Sequence, residues 1–330
     1  MTTGALFIPR NKAVTIYENC VGNIEHNTQH FNNSAISCYN KTVQSMNYHT
    51  QYTTMTTTII FTCHNRCDMT INCIKSLVEG NCNISFSFIV VDDNSTDGTK
   101  DNIDRLINAG YDIHCISGDG NLFWAGGMRV GIEYALKNIF TDYYLFVNDD
   151  VAFKSSVIED MIAEYVAKSK ADNCKAIVGA TYDNEGKLSY GGIKYTGEGM
   201  KYQSKGPDYR SECDTLCMNC VLVDKDTFFK CGNFDEKYKH SLADFDYGLK
   251  LSREVGNIYM FSRYVGKCNG NPIAGTWQDT TLPRIKRLKL KESIKGAPFG
   301  TWFHFLYKNF GLIKASIYGI TPYLRVLLGK

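Results

Sequence analysis

Short apolar runs alternate with amphipathic segments from residue 56 onward. The apolar runs are rich in β-branched residues, which is typical of buried strands; they cover 56–63, 85–93, 111–117 and 142–150. The segments between them carry apolar side chains at helical spacing, and they cover 68–79, 97–108 and 126–138. Strands separated by helices of this length predict βαβ units, and therefore an α/β fold with a mostly parallel sheet flanked by helices.

Beyond residue 150 the alternation is less regular. Helices are predicted over 157–168 and 245–256, strands over 175–182, 216–224 and 257–266, and a hairpin or edge strand over 188–197. Residues 284–328 are basic and aromatic with helical spacing, so we expect a helical C-terminal extension over 281–330. Residues 1–55 are rich in Asn and Thr with no sustained period, which indicates a poorly ordered N-terminal extension before a main domain over 56–280.

The charge distribution separates the C-terminal extension from the rest of the chain. The net charge is only +2, yet residues 281–330 contain ten Lys or Arg and a single acidic residue, Glu292. The remaining chain is mildly acidic, which argues against a nucleic-acid partner. The basic, aromatic tail could lie on an anionic membrane surface, or its helices could pack on the main domain with a solvated basic face.

The chain contains thirteen cysteines, scattered through the predicted strands and helices. This odd number favours reduced thiols in a cytoplasmic protein over a disulfide framework. Cys213, Cys217, Cys220 and Cys231 have a spacing loosely similar to that of a zinc site. The apolar run around them is better explained as a buried strand, in which a free cysteine acts as a small hydrophobe.

Paired acids stand at the ends of two predicted strands, Asp92 and Asp93 in one case and Asp149 and Asp150 in the other. Ligands of open parallel sheets bind where the carboxyl ends of the strands emerge. A carboxylate pair there suits Mg²⁺ or Mn²⁺, which completes its shell with substrate phosphate oxygens and so suggests a nucleoside-diphosphate substrate. Capping of the following helix is the structural alternative for the first pair. Neither a P-loop nor a dinucleotide-binding glycine motif follows the first strand.

The segment GNLFWAGGMRVG contains a second group of candidates. Gly126 and Gly127 are predicted to open a helix, where free N–H groups and close backbone approach suit a diphosphate. Arg129 could form a bidentate contact with phosphate or a surface salt bridge. Trp124 could line a donor pocket or belong to the core.

Five segments, taken in order, resemble the glycosyltransferase family 2 enzymes of GT-A fold. They are TIIFTCHNR, IVVDDNSTDGT, GNLFWAGGMRVG, YYLFVNDDV and CGNFDEKYKHSLADFDYGLKL. The similarity runs from about residue 57 to 265 and is greatest to the bacterial rhamnosyltransferase-like branch. It implies a GT-A catalytic domain over 56–280.

The resemblance implies a role for each matching position near the donor. Thr62 and Asp93 would contact the base and ribose, with Asp92 as the adjacent candidate. NDD stands where the family carries its metal-binding D-x-D element, so Asp150 would be the main ligand of Mn²⁺ or Mg²⁺. Asp149 would contact the ribose or sugar and is a second metal candidate.

The resemblance also implies a catalytic base. LADFDYG matches the family's acidic motif, in which the first Asp is the base, so Asp244 takes that role. A positioned carboxylate can accept the proton of an acceptor hydroxyl as it attacks the sugar. Asp246 is expected to brace structure instead. His240 could bind acceptor or metal or be a structural histidine, and Trp277 is a candidate for stacking on a sugar.

These features predict an inverting, metal-dependent transferase. Its donor would be a nucleoside-diphosphate sugar, with dTDP-rhamnose or a UDP-hexose as leading candidates, and its acceptor a glycan or lipid-linked glycan. Two other functions stay open, a sugar-phosphate nucleotidyltransferase and a non-catalytic glycan-binding protein on a degenerate transferase fold. The glycine-free loop after the first strand counts against the former, and the intact acids Asp93, Asp150 and Asp244 count against the latter.

Overall fold

The computed structural model describes residues 55–81, 83–197 and 200–330. The N-terminal extension expected over 1–55 therefore lies outside the described residues, apart from Met55. That residue begins the first strand of the sheet.

The first part of the described chain alternates strands and helices, as the hydrophobic pattern predicts. In order, these elements are β1 (Met55–Cys63), α1 (Cys67–Val78), β2 (Ile84–Asp92), α2 (Thr99–Asn108), β3 (Ile113–Ser117), α3 (Phe123–Asn138) and β4 (Tyr143–Val147).

The second part contains shorter strands and the C-terminal helices. They are β5 (Ala152–Phe153), α4 (Val157–Ala171), β6 (Cys174–Tyr182), β7 (Leu188–Tyr190), β8 (Gly192–Tyr195), β9 (Tyr202–Lys205), β10 (Glu212–Cys213), β11 (Thr215–Leu216), β12 (Cys220–Asp224), α5 (Lys225–Cys231), α6 (Ala243–Glu254), β13 (Asn257–Lys267), α7 (Arg284–Lys291), α8 (Phe299–Gly319) and α9 (Thr321–Leu327).

The main sheet has the strand order β10-β13-β6-β12-β4-β1-β2-β3. Strands β4, β1, β2 and β3 are parallel, as are β13 and β6, whereas β12 runs antiparallel between β4 and β6. A second, three-stranded sheet has the order β11-β8-β9. The predicted α/β class, with a mostly parallel sheet, flanking helices and a helical C-terminal region, is confirmed.

Both faces of the main sheet are covered, which explains the continuous apolar runs of its strands. Successive side chains of a strand point to opposite faces. Ile60 of β1 therefore packs in the cluster that includes α3 and α6, while Ile59 and Phe61 pack in the cluster that includes α1, α2 and α4. Because β1 is parallel to both β2 and β4, the carboxyl ends of these three strands meet at one edge of the sheet.

Three predicted boundaries were wrong, and each correction affects the site. Helix α3 begins at Phe123 rather than at Gly126, because the apolar segment before the glycines is already helical. Strand β4 ends at Val147, so the acids at 149 and 150 lie in the turn that follows. The strand expected over 216–224 is divided between β11 and β12, which belong to different sheets.

The cysteines of the 213–231 region lie inside this fold. Cys213, Cys220 and Cys231 are at most 1% exposed and belong to the hydrophobic clusters. Their burial is what the apolar pattern around them predicts.

The C-terminal helices are joined to the main domain by buried polar contacts. The carboxylate of Asp246, in α6, accepts a hydrogen bond from Lys308 Nζ at 2.7 Å and another from Asn309 Nδ2 at 2.7 Å. Lys308 also contacts Asp235 at 2.9 Å. Asp246 thus holds α8 in place, as the sequence analysis expects of a structural acid. Within the described part of the chain, every helix is too short or too polar to cross a bilayer.

Candidate active site

The acidic turn after β4 is held by an arginine from the loop after β1. One Nη of Arg66 lies 3.2 Å from Asp149 Oδ1 and 2.9 Å from Asp150 Oδ2. The two strands are neighbours in the sheet, so their carboxyl-end loops face each other. Arg66 therefore contacts both acids that the sequence analysis assigns to metal and sugar, and its single charge compensates only part of theirs.

The two acids differ in their surroundings. Asp149 is 5% exposed, and burial raises its pKa to about 6 although Arg66 opposes the shift. Thr70 Oγ1 donates to its other carboxylate oxygen at 3.4 Å. Asp150 is more accessible, with 26% of its side chain exposed, and the Cys268 thiol donates to Asp150 Oδ1 at 3.3 Å. Asp150 is thus the more accessible member of the pair.

Trp124 contacts the first residue of the NDD segment. Its Nε1 donates a hydrogen bond to Asn148 Oδ1 at 2.9 Å, and its ring packs 5.9 Å from that of Phe234. An aspartate at position 148 would also accept this bond, so Asn148 keeps the local geometry without adding a charge. The indole is a positioning contact for the turn and is partly buried against the core.

The acids at the end of β2 are engaged by backbone N–H groups. Asp92 Oδ1 accepts from the N–H of Ser95 at 3.0 Å. Asp93 accepts from Gly120 at 2.8 Å through Oδ1 and from Phe123 at 3.1 Å through Oδ2. Both aspartates are under 5% exposed. They organise the loops around the expected base and ribose position, and Asp93 stabilises the N-terminus of α3.

The glycines of α3 lie inside the helix, where they allow it to approach the sheet. A Cβ on Gly127 would lie 2.2 Å from Thr62 Oγ1. Thr62 is 8% exposed and donates to the carbonyl of Val91 at 2.9 Å. A Cβ on Gly126 would meet Leu122 at an ordinary 3.4 Å. Tight helix-to-strand packing therefore explains Gly127 without any ligand.

Two of the candidates involve the loop before α6, Arg129 through a contact from α3 and His240 as a member of the loop. Arg129 donates to the carbonyl of Tyr238 at 3.4 Å and is partly buried there. The Nδ1 atom of His240 is buried without a hydrogen-bond partner among the described residues. Burial lowers its pKa to about 4, and the nearby cations Lys295 and Arg66 act in the same direction. His240 is therefore neutral at physiological pH.

Asp244 stands in the first turn of α6, on the wall of a cavity of about 670 Å³. Burial raises its pKa to about 6, while the N–H of Phe245, which lies 2.9 Å from Asp244 Oδ1, lowers it. It is the one Asp or Glu side chain among the described residues that line this cavity. A carboxylate with this pKa is ionised at neutral pH and is a stronger base than an ordinary aspartate.

The cavity lies between the small sheet and the C-terminal helices. Aromatic side chains dominate its wall, and they come from both sides: Tyr190, Tyr195, Tyr202, Phe245, Trp277, Trp302, Phe305 and Tyr318. Trp277 also borders a second cavity, of about 430 Å³, which Phe123 at the start of α3 lines. Trp277 thus borders both cavities, the one lined by Asp244 and the one lined by Phe123, and its stacking on a sugar stays a prediction.

Residues 58–227, slightly more than half of the chain, match the family described as Glycosyl transferase family 2. The chain belongs to glycosyltransferase family 2. The resemblance to this family is confirmed, whereas the rhamnosyltransferase-like branch stays a prediction. No match was found among curated proteins.

Three solved structures illustrate the similarity of this family 2 glycosyltransferase to other proteins. S. aureus TarS 1-349 is 15% identical, with 82% of this chain and 80% of that chain covered and a TM-score of 0.48. GalNAc-T7 with UDP, GalNAc and Mn²⁺ is 11% identical, with 69% and 49% covered and a TM-score of 0.49. The mannosyltransferase PcManGT from Pyrobaculum calidifontis, in complex with GDP-Man and Mn²⁺, is 11% identical, with 84% and 75% covered and a TM-score of 0.47. Values this low carry neither a substrate nor a mechanism to this chain.

Two features of this family 2 glycosyltransferase were missed by the sequence analysis. Arg66 was not proposed, although it lies three residues after the end of β1, at the sheet edge where the acids were expected. The cavity wall formed by the C-terminal extension was missed as well, because no local pattern places a tail helix against Asp244. The position of Arg66 in the loop after β1 could have indicated its contact with the acids. No feature of the sequence indicated that the tail forms part of the cavity wall.

The acidic turn after β4 offers few protein ligands for a divalent cation. No group of three or more His, Cys, Asp or Glu side chains suited to a metal occurs among the described residues. Asp149 and Asp150 alone fit Mg²⁺ or Mn²⁺ only if substrate phosphate and water complete the shell, which is common for these ions. Arg66 would also have to release at least one of its contacts.

Proposed function

We propose that this glycosyltransferase moves a sugar from a nucleoside diphosphate to an acceptor hydroxyl, with inversion and with Asp244 as the general base. The observation that carries the proposal is the single carboxylate on the wall of a 670 Å³ cavity, with its pKa raised to about 6. The acceptor hydroxyl would lie against Asp244 and lose its proton as its oxygen attacks the anomeric carbon. Direct displacement with one base inverts that carbon.

The donor would lie at the carboxyl ends of β1, β2 and β4. Thr62, Asp92 and Asp93 shape the loops there, and Thr62 and Asp93 are the proposed contacts of the base and ribose. Asp149 and Asp150 would hold Mn²⁺ or Mg²⁺, which when bound neutralises charge on the departing diphosphate. Arg66, freed from the carboxylates, could then turn to a phosphate oxygen.

The proposed donors are dTDP-rhamnose or a UDP-hexose, and the proposed acceptor is a glycan or a lipid-linked glycan. The aromatic wall of the cavity supports a carbohydrate acceptor, because ring faces pack on the apolar faces of sugars. Gly126, Gly127 and Arg129 are proposed to contact the diphosphate of the donor, although Gly127 already has a packing role.

The first experiment is a thermal-shift panel of UDP-, dTDP- and GDP-sugars, each with and without Mn²⁺. Stabilisation by one nucleotide class, dependent on metal, is expected and would identify the base. Asp244→Asn should keep this donor-induced shift and lose hydrolysis of the same donor. Hydrolysis at the wild-type rate in Asp244→Asn would remove Asp244 as the base, and a panel with no shift would favour a glycan-binding protein.

We also propose that the C-terminal extension rests on an anionic lipid surface. Six exposed residues repeat at helical spacing and form one apolar face, here called the tail stripe: Ile313, Ile317, Ile320, Leu324, Leu327 and Leu328. Ile320, between α8 and α9, has a right-handed helical backbone. The buried side chains Ala315 and Val326 lie on the opposite face.

Charge supports lipid over a second copy of the chain as the partner of the tail stripe. The extension is strongly basic, and Lys314 follows the first residue of the stripe. A basic helix pair with an apolar face binds anionic bilayers in this way. Co-sedimentation with phosphatidylglycerol vesicles should therefore exceed that with phosphatidylcholine vesicles, and Ile317→Glu should reduce it. Equal binding to both, or an Ile317-dependent dimer in solution, would contradict the proposal.

A further inference from the structure

We infer that the Asp244 cavity is built for an acceptor that carries a phosphate group, and that the C-terminal extension supplies the cations that hold it. The inference rests on the proposed function in one respect, that Asp244 marks the acceptor site. The cavity wall includes three basic side chains, Lys291, Lys295 and Arg325, against one carboxylate. All three basic residues belong to the extension.

Lys291 is the most deeply placed of these cations. It is 2% exposed, and its ammonium group donates to the carbonyl of Ala297. The ammonium lies 5.8 Å from the centre of the Trp277 ring and 5.4 Å from that of Tyr323. Burial lowers the pKa of this group to about 8. A buried ammonium held by one carbonyl and two ring faces is under-compensated, and an anion in the cavity would stabilise it.

The nearest acidic group does not compensate Lys291. Glu292 is committed elsewhere, because its carboxylate accepts from the Tyr323 hydroxyl and from the N–H of Phe299 at 3.2 Å. Glu292 raises the pKa of Lys291 less than burial lowers it. Its charge therefore does not cancel that of the ammonium.

The other two cations have no carboxylate partner. Among the described residues, neither Lys295 nor Arg325 forms an ion pair through its side chain, whereas Lys308 of the same extension is paired with Asp235 and Asp246. Basic side chains left without carboxylates around a concave, aromatic wall are a phosphate-binding arrangement. This excess of positive charge is separate from the proposed metal turn, because neither Asp149 nor Asp150 lines the cavity.

The aromatic side chains explain why the ligand should be a sugar phosphate rather than a bare anion. Trp302 Nε1 already donates to the carbonyl of Tyr318 at 3.0 Å, so its ring face rather than its N–H is available. Trp277 offers a second ring beside Lys291. A ligand with an apolar sugar face and a phosphate would contact both the aromatic rings and the basic side chains of the wall.

Tryptophan fluorescence offers a direct test, because Trp277 and Trp302 are two of the three tryptophans of the chain. The full-length protein is titrated with glucose 1-phosphate and with glucose, without metal. We expect tighter binding of the phosphate and at least about tenfold loss in Lys295→Met/Arg325→Met, since a hydrogen bond to a charged group is worth that much. The matched control is Lys286→Met/Lys289→Met, which removes two exposed tail cations outside the cavity and should change binding less than twofold.

Several results would overturn the inference. Equal affinity for the two sugars, or equal losses in both double variants, would show that no phosphate site exists in the cavity. If the cavity variant has a lower Tm, Lys295→Arg/Arg325→Lys must restore binding, and failure to do so counts against the inference. Competition by phosphatidylglycerol vesicles would assign the phosphate to a lipid headgroup, and absence of competition to a soluble or glycan-borne phosphate.

The inference and the proposed function can fail separately. Asp244→Asn should lose donor hydrolysis and still bind glucose 1-phosphate. Loss of hydrolysis in that variant, together with weak binding of glucose 1-phosphate by the wild type, would support Asp244 as the base and reject the phosphate site. Unchanged hydrolysis with strong phosphate binding would leave the site and reject Asp244 as base.

Discussion

The raised pKa of Asp244 predicts that removing its charge stabilises the protein, and its proposed role as base predicts that the same change abolishes transfer. The pKa is about 6 in the fold, against 3.8 for an ordinary aspartate. An acid with a raised pKa binds its proton more tightly when folded, so its ionisation lowers stability as pH rises from about 4 to 6. Above pH 6 the loss is complete. A shift of about two pKa units corresponds to about 3 kcal/mol.

Asp244→Asn keeps the shape of the side chain and cannot ionise. We expect its free energy of unfolding to exceed that of the wild type by about 2–3 kcal/mol at pH 8 and to match it near pH 4. For a domain of this size the gain corresponds to roughly 4–10 °C in Tm. Thermal denaturation from pH 4 to 8 measures it.

A control on the same helix sharpens this test. Asp246 lies two residues further on and accepts hydrogen bonds from Lys308, Asn309 and Tyr238. Asp246→Asn should therefore destabilise the protein, because it weakens a buried ion pair. If Asp244→Asn also lowers Tm at pH 8, or raises it equally at pH 4, the Asp244 carboxylate does not have the raised pKa on which this prediction rests.

The remaining predictions concern the metal turn, the packing of α3 and the tail. Arg66→Met should lower Tm without metal and give a larger Mn²⁺-induced rise in Tm than the wild type, because the cation no longer competes with an arginine; equal rises would contradict this. Gly127→Ala should cost about 1–3 kcal/mol in urea denaturation because its Cβ overlaps Thr62, and Thr62→Ala should recover part of the loss. Lys308→Met should cost about 2–3 kcal/mol by leaving buried Asp246 under-compensated, and a change below 0.5 kcal/mol would refute the role of that ion pair.

The sheet could be predicted from the sequence because its strands are buried on both faces. Continuous apolar runs of five to nine residues, such as β1 and β2, can be told from the amphipathic helices between them. The positions of Asp93 and Asp150 follow from that pattern alone, since the ends of parallel strands share one edge.

The contacts of the individual acids could not be predicted in the same way. Asp93 was expected to contact a ligand, yet both of its oxygens accept from backbone N–H groups. Which side chain meets Asp149 depends on the conformation of the loop after β1, and the sequence alone does not determine that conformation. The glycines of α3 were misplaced because a glycine pair is equally typical of a helix start and of a close helix–strand contact.

The structure links Asp244, the proposed base, and the C-terminal extension through one turn of α6. Asp244 faces the cavity, and Asp246 fixes α8 through Lys308 and Asn309. The same extension brings Lys291, Lys295 and Arg325 to the cavity wall, so its attachment at Asp246 sets where these cations stand relative to the base. An acceptor that presents its phosphate to the extension would then place its hydroxyl at Asp244 only while that attachment holds. The extension is therefore half of the proposed acceptor site, and its packing on α6 is a condition of acceptor recognition.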